Sequence, residues 1–169
     1  MKNTVVMGVA GCGKSSLGQA LASALGCHYI EGDAHHSAAN VAKMRAGIAL
    51  TDADRSGWLE LLGEQLSQKV AGAPEASVLA CSALKNAYRE LLRQASPGLR
   101  FVFLEISREQ SLQRVAARGD QHLFPISLVD SQFATLESPV GEPDVLVVDA
   151  AQNPAQQLGQ VLHWLAGEL

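Results

Sequence analysis

Apolar positions recur along the chain in two alternating rhythms. Short β-branched or aromatic runs stand at Thr4–Met7, His28–Glu31, Val78–Cys81, Phe101–Glu105 and Val145–Val148, each of strand length. Between them the spacing lengthens to that of helices. Leu17, Ala20, Leu21, Ala24 and Leu25 fall at i, i+3, i+4, i+7 and i+8, and Gly26 stands where such a helix would stop. Trp58, Leu61, Leu62, Gln65, Leu66 and Val70 form a second stripe, and Tyr88, Leu91, Leu92 and Ala95 a third. Leu112, Val115 and Ala116 follow Ser107-x-x-Gln110, the pattern of a capping box. Leu158, Val161, Leu162 and Leu165 make a last stripe after Pro154. Strands alternating with helices predict an α/β fold, a five-stranded parallel sheet with helices on both faces, in a single domain over 1–169.

Two polar stretches, Gly32–Gly57 and Gly119–Gly141, fit the alternation poorly. Both follow elements whose ends belong at the ligand-binding edge of an open α/β sheet. They are read as a substrate flap, about 33–57, and a lid, about 119–141.

The first strand runs straight into Gly8, Val9, Ala10, Gly11, Cys12, Gly13, Lys14 and Ser15, with Ser16 beyond. This is G-x-x-x-x-G-K-[ST] between a strand and a helix, the context of a phosphate-binding P-loop. The glycines let backbone N–H groups turn inward around phosphate oxygens, and the helix start adds its positive dipole end. Lys14 would reach the terminal phosphates of ATP, and the Ser15 hydroxyl would ligate Mg²⁺. The fold expected is therefore that of a P-loop NTPase.

Composition narrows the partners. Of 169 residues, 47% are hydrophobic and 18% charged, so the chain can bury a core. A net charge of −4 without a basic cluster argues against nucleic acid. The apolar runs are strand-sized and the first begins almost at Met1, so neither a membrane span nor a secretory leader is expected. Cys12, Cys27 and Cys81 are too few and scattered for a disulfide framework or a zinc site. Reduced thiols and a need for ATP point to the cytoplasm.

Further chemistry gathers at the expected strand ends. Glu31-Gly32-Asp33 closes the second strand. Asp33 can orient and deprotonate an acceptor hydroxyl, or it can cap the next turn. Gly32 is read as leaving the backbone open to a ligand. His35 and His36 can bind a polyol or sit solvated. Lys43, Arg45 and Arg55 fit the surface as well as a site. Ser82 and Lys85 follow the third strand, either as a helix cap and a solvated cation or as substrate contacts. Arg114 and Arg118 share a helix face beside the lid, where they can clamp a transferring phosphoryl group or simply face solvent. Asn153 and Pro154 can border an adenine or form a plain turn.

These blocks together resemble one family. The P-loop, Glu31-Gly-Asp33-x-His35 with Asn40-x-x-Lys43-Met44, Asp52-x-Asp54-Arg55-x-x-Trp58-Leu59, Cys81-Ser-Ala-Leu-Lys85-x-x-Tyr88-Arg89 and Ser131-Gln-Phe-x-x-Leu-Glu137 look like those of bacterial-type gluconokinases, from about Thr4 to Asp149. The resemblance implies ATP-dependent phosphorylation of D-gluconate at its 6-hydroxyl, a shikimate kinase-like fold and often a homodimer. The implied catalytic set is Lys14, Asp33, Arg114 and Arg118. A polyhydroxylated anion calls for cations and mixed donors, for which Asp33, His35, Arg45, Arg55 and Lys85 are the candidates. The chain departs from the family pattern at Glu31 for Asp, Ser37 and Gly57 for prolines, Cys12 for Ser, and a Gly119–Pro125 segment one residue longer. A shikimate or other small-metabolite kinase and a non-catalytic nucleotide-binding switch are the alternatives.

Overall fold

Successive residues of the central strands face opposite sides of the sheet, and this alternation sorts the helices into two layers. The computed structural model describes residues 2–68, 76–118 and 125–167. Its strands are β1 (Thr4–Met7), β2 (His28–Glu31), β3 (Ser77–Ala80), β4 (Arg100–Glu105) and β5 (Val145–Asp149). They pair in parallel in the order β2-β3-β1-β4-β5. Val5 and Met7 of β1 share one face with Phe101 and Phe103 of β4, packed under Trp58, Leu62 and Leu92. Val6, Val102 and Leu104 share the other, packed under Leu17, Leu21 and Val161. The first face is thus covered by α3 (Asp52–Ser67) and α4 (Asn86–Ala95), the second by α1 (Lys14–Leu25) and α7 (Pro154–Leu165). Each such side chain contributes about 1.5–3 kcal/mol of burial.

The helices form where the periodicity places them, but packing chooses slightly different faces. On α1, Ala20 and Ala24 are exposed while Gly18 and Ala22 are buried. A Cβ on Gly18 would lie 2.9 Å from the Tyr29 ring, so this helix presses its smallest residue onto β2. On α3, Leu59 and Gly63 are buried and Leu61 only half-buried. On α4, Leu91 is 44% exposed and Arg89 takes the interior. Val70 of the second stripe lies outside the described residues.

Arg89 has no exposed surface and spends its guanidinium on Glu142, on the carbonyls of Ala83 and Leu84, and on that of Glu137. It fastens the connection after β3 to the segment before β5. Paired with Arg89, Glu142 has its carboxyl drawn down to about 2.

The predicted flap contains a helix the pattern did not reveal. In α2 (Ala38–Arg45) only Asn40 and Met44 are buried, one turn apart, too sparse a stripe to read. Ser37 caps it by accepting from Asn40 N at 3.2 Å. Asn40 Nδ2 donates to Asp54 O at 2.8 Å, and Lys43 pairs with Asp54 at 2.6 Å, tying α2 to α3. Asp54 also closes a capping box with Thr51. Of the predicted lid, 119–124 lie outside the described residues. The remainder begins with a 3-10 turn, Ile126–Leu128, that leads into α6 (Val129–Thr135). Val129 is fully buried against Ala10 and Val115, the latter on α5 (Arg108–Arg118), so α6 is packed onto the body of the domain. The capping box read at Ser107 and Gln110 starts α5 as expected.

Candidate active site

The loop between β1 and α1 turns its side chains inward and its backbone outward. Val9 and Cys12 are almost fully buried. Gly13 caps α1 at φ 99°, a conformation closed to most L-residues. Other elements hold the loop's peptide groups. Ser111 Oγ, fully buried on α5, donates to Ala10 O at 2.7 Å. Arg114 donates to Gly11 O at 3.3 Å and to Ala150 O at 2.8 Å. Ala10 N donates to Gln132 Oε1 on α6 at 2.6 Å. Arg114 therefore stands behind the loop as a brace.

Lys14 opens α1 and is partly buried. Burial opposes its charge, but the surrounding acidic groups, Asp33 foremost, more than offset this, so its pKa lies above the ordinary lysine value. Burial also raises the neighbouring thiols, Cys81 to about 12, which leaves them protonated and unfit as nucleophiles.

Across from the loop, β2 ends in a 3-10 turn, Gly32–His35. A Cβ on Gly32 would sit 2.5 Å from Ala80 O, so glycine is required here by the neighbouring strand rather than by a ligand. Its carbonyl accepts from Trp58 Nε1 at 2.8 Å. The tight turn leaves Asp33 exposed and lays the His36 ring flat on Trp58, 4.2 Å between centroids. His36 Nδ1 is buried without a partner. Burial, aided by Arg55 and opposed by Asp33, lowers its pKa, so the imidazole is neutral near pH 7. Arg55 is steered from α3 by Leu50 O at 2.7 Å and by the Tyr88 hydroxyl at 3.3 Å.

These two walls enclose a cleft of about 250 Å³. Ala10, Lys14, Ser15, Asp33, Arg55 and Arg118, all singled out from the sequence, line it together with Glu31, His36, Trp58, Ser82 and Gln132. His35, Arg45 and Lys85 are not on its wall. Lys85 is instead held by both Asp52 oxygens at 2.8 and 2.9 Å, and Asp52 also accepts from Tyr88. Arg45 is exposed at the end of α2. Asn153 caps α7, accepting from Gln156 N at 2.9 Å. The sequence offered adjacent histidines, and only the geometry of the turn selects the second. Gln132 stands in the Ser131–Glu137 block of the family pattern, but its role is hidden there because its partner lies 122 residues away.

The donor set suits a small divalent cation bound with phosphates. The Ser15 hydroxyl and Glu31 share the cleft, and Glu31 Oε1 is buried without a partner while its Oε2 accepts from Tyr29 at 2.6 Å. Among the described residues, no group of three or more His, Cys, Asp or Glu converges as a metal cage. Mg²⁺ needs none, because it keeps water and phosphate oxygens as most of its ligands.

A phosphate loop after the central strand of this sheet, with a carboxylate facing its lysine, defines a P-loop kinase, and the model of the shikimate kinase family matches residues 10–165. A shikimate kinase from Acinetobacter baumannii in complex with shikimate shares the fold, with a TM-score of 0.62 at 17% identity, over 99% of this chain and 94% of that one. Nearer relatives narrow the class. The gluconokinase of Gluconobacter oxydans (strain 621H) is 42% identical over 97% of this chain and 91% of that protein. The crystal structure of a gluconokinase from Sinorhizobium meliloti 1021 is 46% identical with a TM-score of 0.88, covering 98% of this chain and 92% of that one. The chain belongs to the gluconokinase family.

Proposed function

We propose that this protein transfers the terminal phosphoryl group of ATP to the 6-hydroxyl of D-gluconate, giving 6-phosphogluconate and ADP. The observation that carries the reading is the convergence of Lys14, Asp33, Arg55 and Arg118 on one cleft in a chain of this family. The loop amides and Lys14 hold the phosphates. Bound at Ser15, Mg²⁺ would neutralise phosphate charge. Asp33 holds the acceptor hydroxyl in line and takes its proton as the new O–P bond forms. The bond from phosphorus to the bridging oxygen breaks, and its electron pair leaves with ADP. Arg118 faces the charge that builds on the moving group. Arg55, already oriented by Tyr88 and Leu50, meets the gluconate carboxylate. His36, neutral on its Trp58 platform, pairs with a sugar-acid hydroxyl.

The reading implies a cytoplasmic setting where ATP is supplied. No helix among the described residues is long and apolar enough to cross a membrane. The test is ADP release with a panel of acceptors. It should depend on D-gluconate and Mg²⁺, with shikimate and nucleoside monophosphates as poor acceptors. Shikimate turned over as fast as gluconate would overturn it.

A further inference from the structure

The bond between Ala10 and Gln132 carries information beyond the bracing of a loop. A backbone N–H can only donate, so the carboxamide end that meets Ala10 must be the oxygen, and Nε2 must be the other end. Gln132 lines the cleft alongside Lys14, Asp33 and Arg118, and no acceptor among the described residues takes its Nε2 hydrogens. Its backbone is fixed as well. Val129 is fully buried and the half-buried Phe133 packs with it against Ala10 and Val115. One turn earlier, Leu128 packs on Met44 and Leu50 of the flap. Gln132 therefore stands on a rigid helix between the phosphate loop and the flap, with one end of its amide anchored and a two-proton donor at the other end.

We propose that Gln132 is a catalytic residue for phosphoryl transfer. Its Oε1 is held by Ala10 N–H so that Nε2 donates to the oxygens of the phosphoryl group as it passes from ATP to the acceptor. The electrostatic logic is that of any preorganised donor aimed where charge develops: the orientation is set before the reaction, so none is lost during it. The bland reading makes Gln132 a brace alone, like Ser111 at the carbonyl of the same residue.

This inference rests on the phosphotransferase reading above, and the variants separate the two. Gln132→Glu keeps an acceptor of the same reach for Ala10 but removes both donors and presents a negative charge to the phosphoryl group. Gln132→Ala removes brace and donor together. The readouts are gluconate turnover, melting temperature, and affinities for ADP and for the β,γ-imido analogue of ATP. Gln132→Glu should lose roughly 10²–10³-fold in kcat, the range for one oxyanion-type donor. Its melting temperature and ADP affinity should stay at wild-type values, while the ATP analogue binds more weakly. Gln132→Ala should lose as much turnover and also weaken ADP. Turnover of Gln132→Glu near the wild-type rate would reduce the residue to a brace and sink the proposal, as would loss of ADP binding or of thermal stability in that variant. If the wild type itself does not act on gluconate, the substrate reading fails instead. The weakened ATP analogue against unchanged ADP then still decides the role of Gln132.

Discussion

The two walls of the cleft treat their polar groups in opposite ways. On the phosphate-loop wall the protein supplies its own partners: Ala10 is bonded at both N and O, and Gly11 O is taken by Arg114. On the facing wall, His36 Nδ1 and Glu31 Oε1 are buried without partners, and Asp33 is exposed. A buried polar atom left unpaired costs about 1–3 kcal/mol, and it persists where a ligand or ion completes it. Under the proposed function, the loop is finished before ATP arrives, whereas the facing wall is completed by what binds there. Preorganisation then belongs to the donor side and recognition to the acceptor side.

Substitutions can break or sharpen this contrast. The largest effect is expected at Lys14. Lys14→Ala should raise the transfer barrier by about 3–5 kcal/mol while leaving the melting temperature nearly unchanged. A variant that fails to fold would make Lys14 part of the scaffold and erase the distinction between brace and working group on that wall. Asp33→Asn tests the opposite wall. Gluconate turnover should fall by about 10²–10⁴, with ATP affinity held within a few-fold of wild type. Full activity would remove Asp33 from the mechanism, and lost ATP binding would move it to the donor side.

A control lies outside both walls. Glu142→Gln strands the charge of the fully buried Arg89 and should cost about 3 kcal/mol in stability. Because the Glu142 carboxyl is depressed from 4.5 to about 2, its contribution is complete above pH 4.5 and is lost as pH falls toward 2. Denaturant titrations across that window should show a shallower acid limb in the variant, with kcat under native conditions unchanged. A cleft-sized loss of turnover would show that the contrast between the walls is not local.

The smallest effect concerns His36. His36→Leu should raise the KM for gluconate about tenfold, the loss of one hydrogen bond, with little change in kcat. The depressed pKa adds a stability signature of the same sign. The folded protein resists protonating His36, so wild type loses stability as pH drops below 6.5, and the variant should lose less. An unchanged KM would return the stacked imidazole to a packing role.

What the sequence disclosed and what it withheld divide along range. Strands, P-loop and the Ser107 cap are local patterns, and each appears within a residue of where the pattern puts it. Residues whose meaning depends on distant partners were illegible. Arg89 is visible only as a member of the Cys81–Arg89 block, and its buried role appears when Glu142, 53 residues on, is brought beside it. Gly32 looked like an opening for a ligand because nothing in the sequence shows Ala80 O waiting beside it. The choice between His35 and His36 turned on one 3-10 turn, and α2 was hidden by a stripe of only two buried residues.

The sheet order also fixes when the site can exist. β1 and the loop it carries are made early, yet β1 finds its neighbours only in β3 and β4, which end at Ala80 and Glu105. Such long-range parallel pairings form late and slowly. A nascent chain emerging from the ribosome therefore presents Gly8–Ser15 as an unsupported strand end until β4 is free to dock. Nucleotide affinity arrives with the middle of the sheet, and ATP capture during synthesis would mark the moment at which it closes.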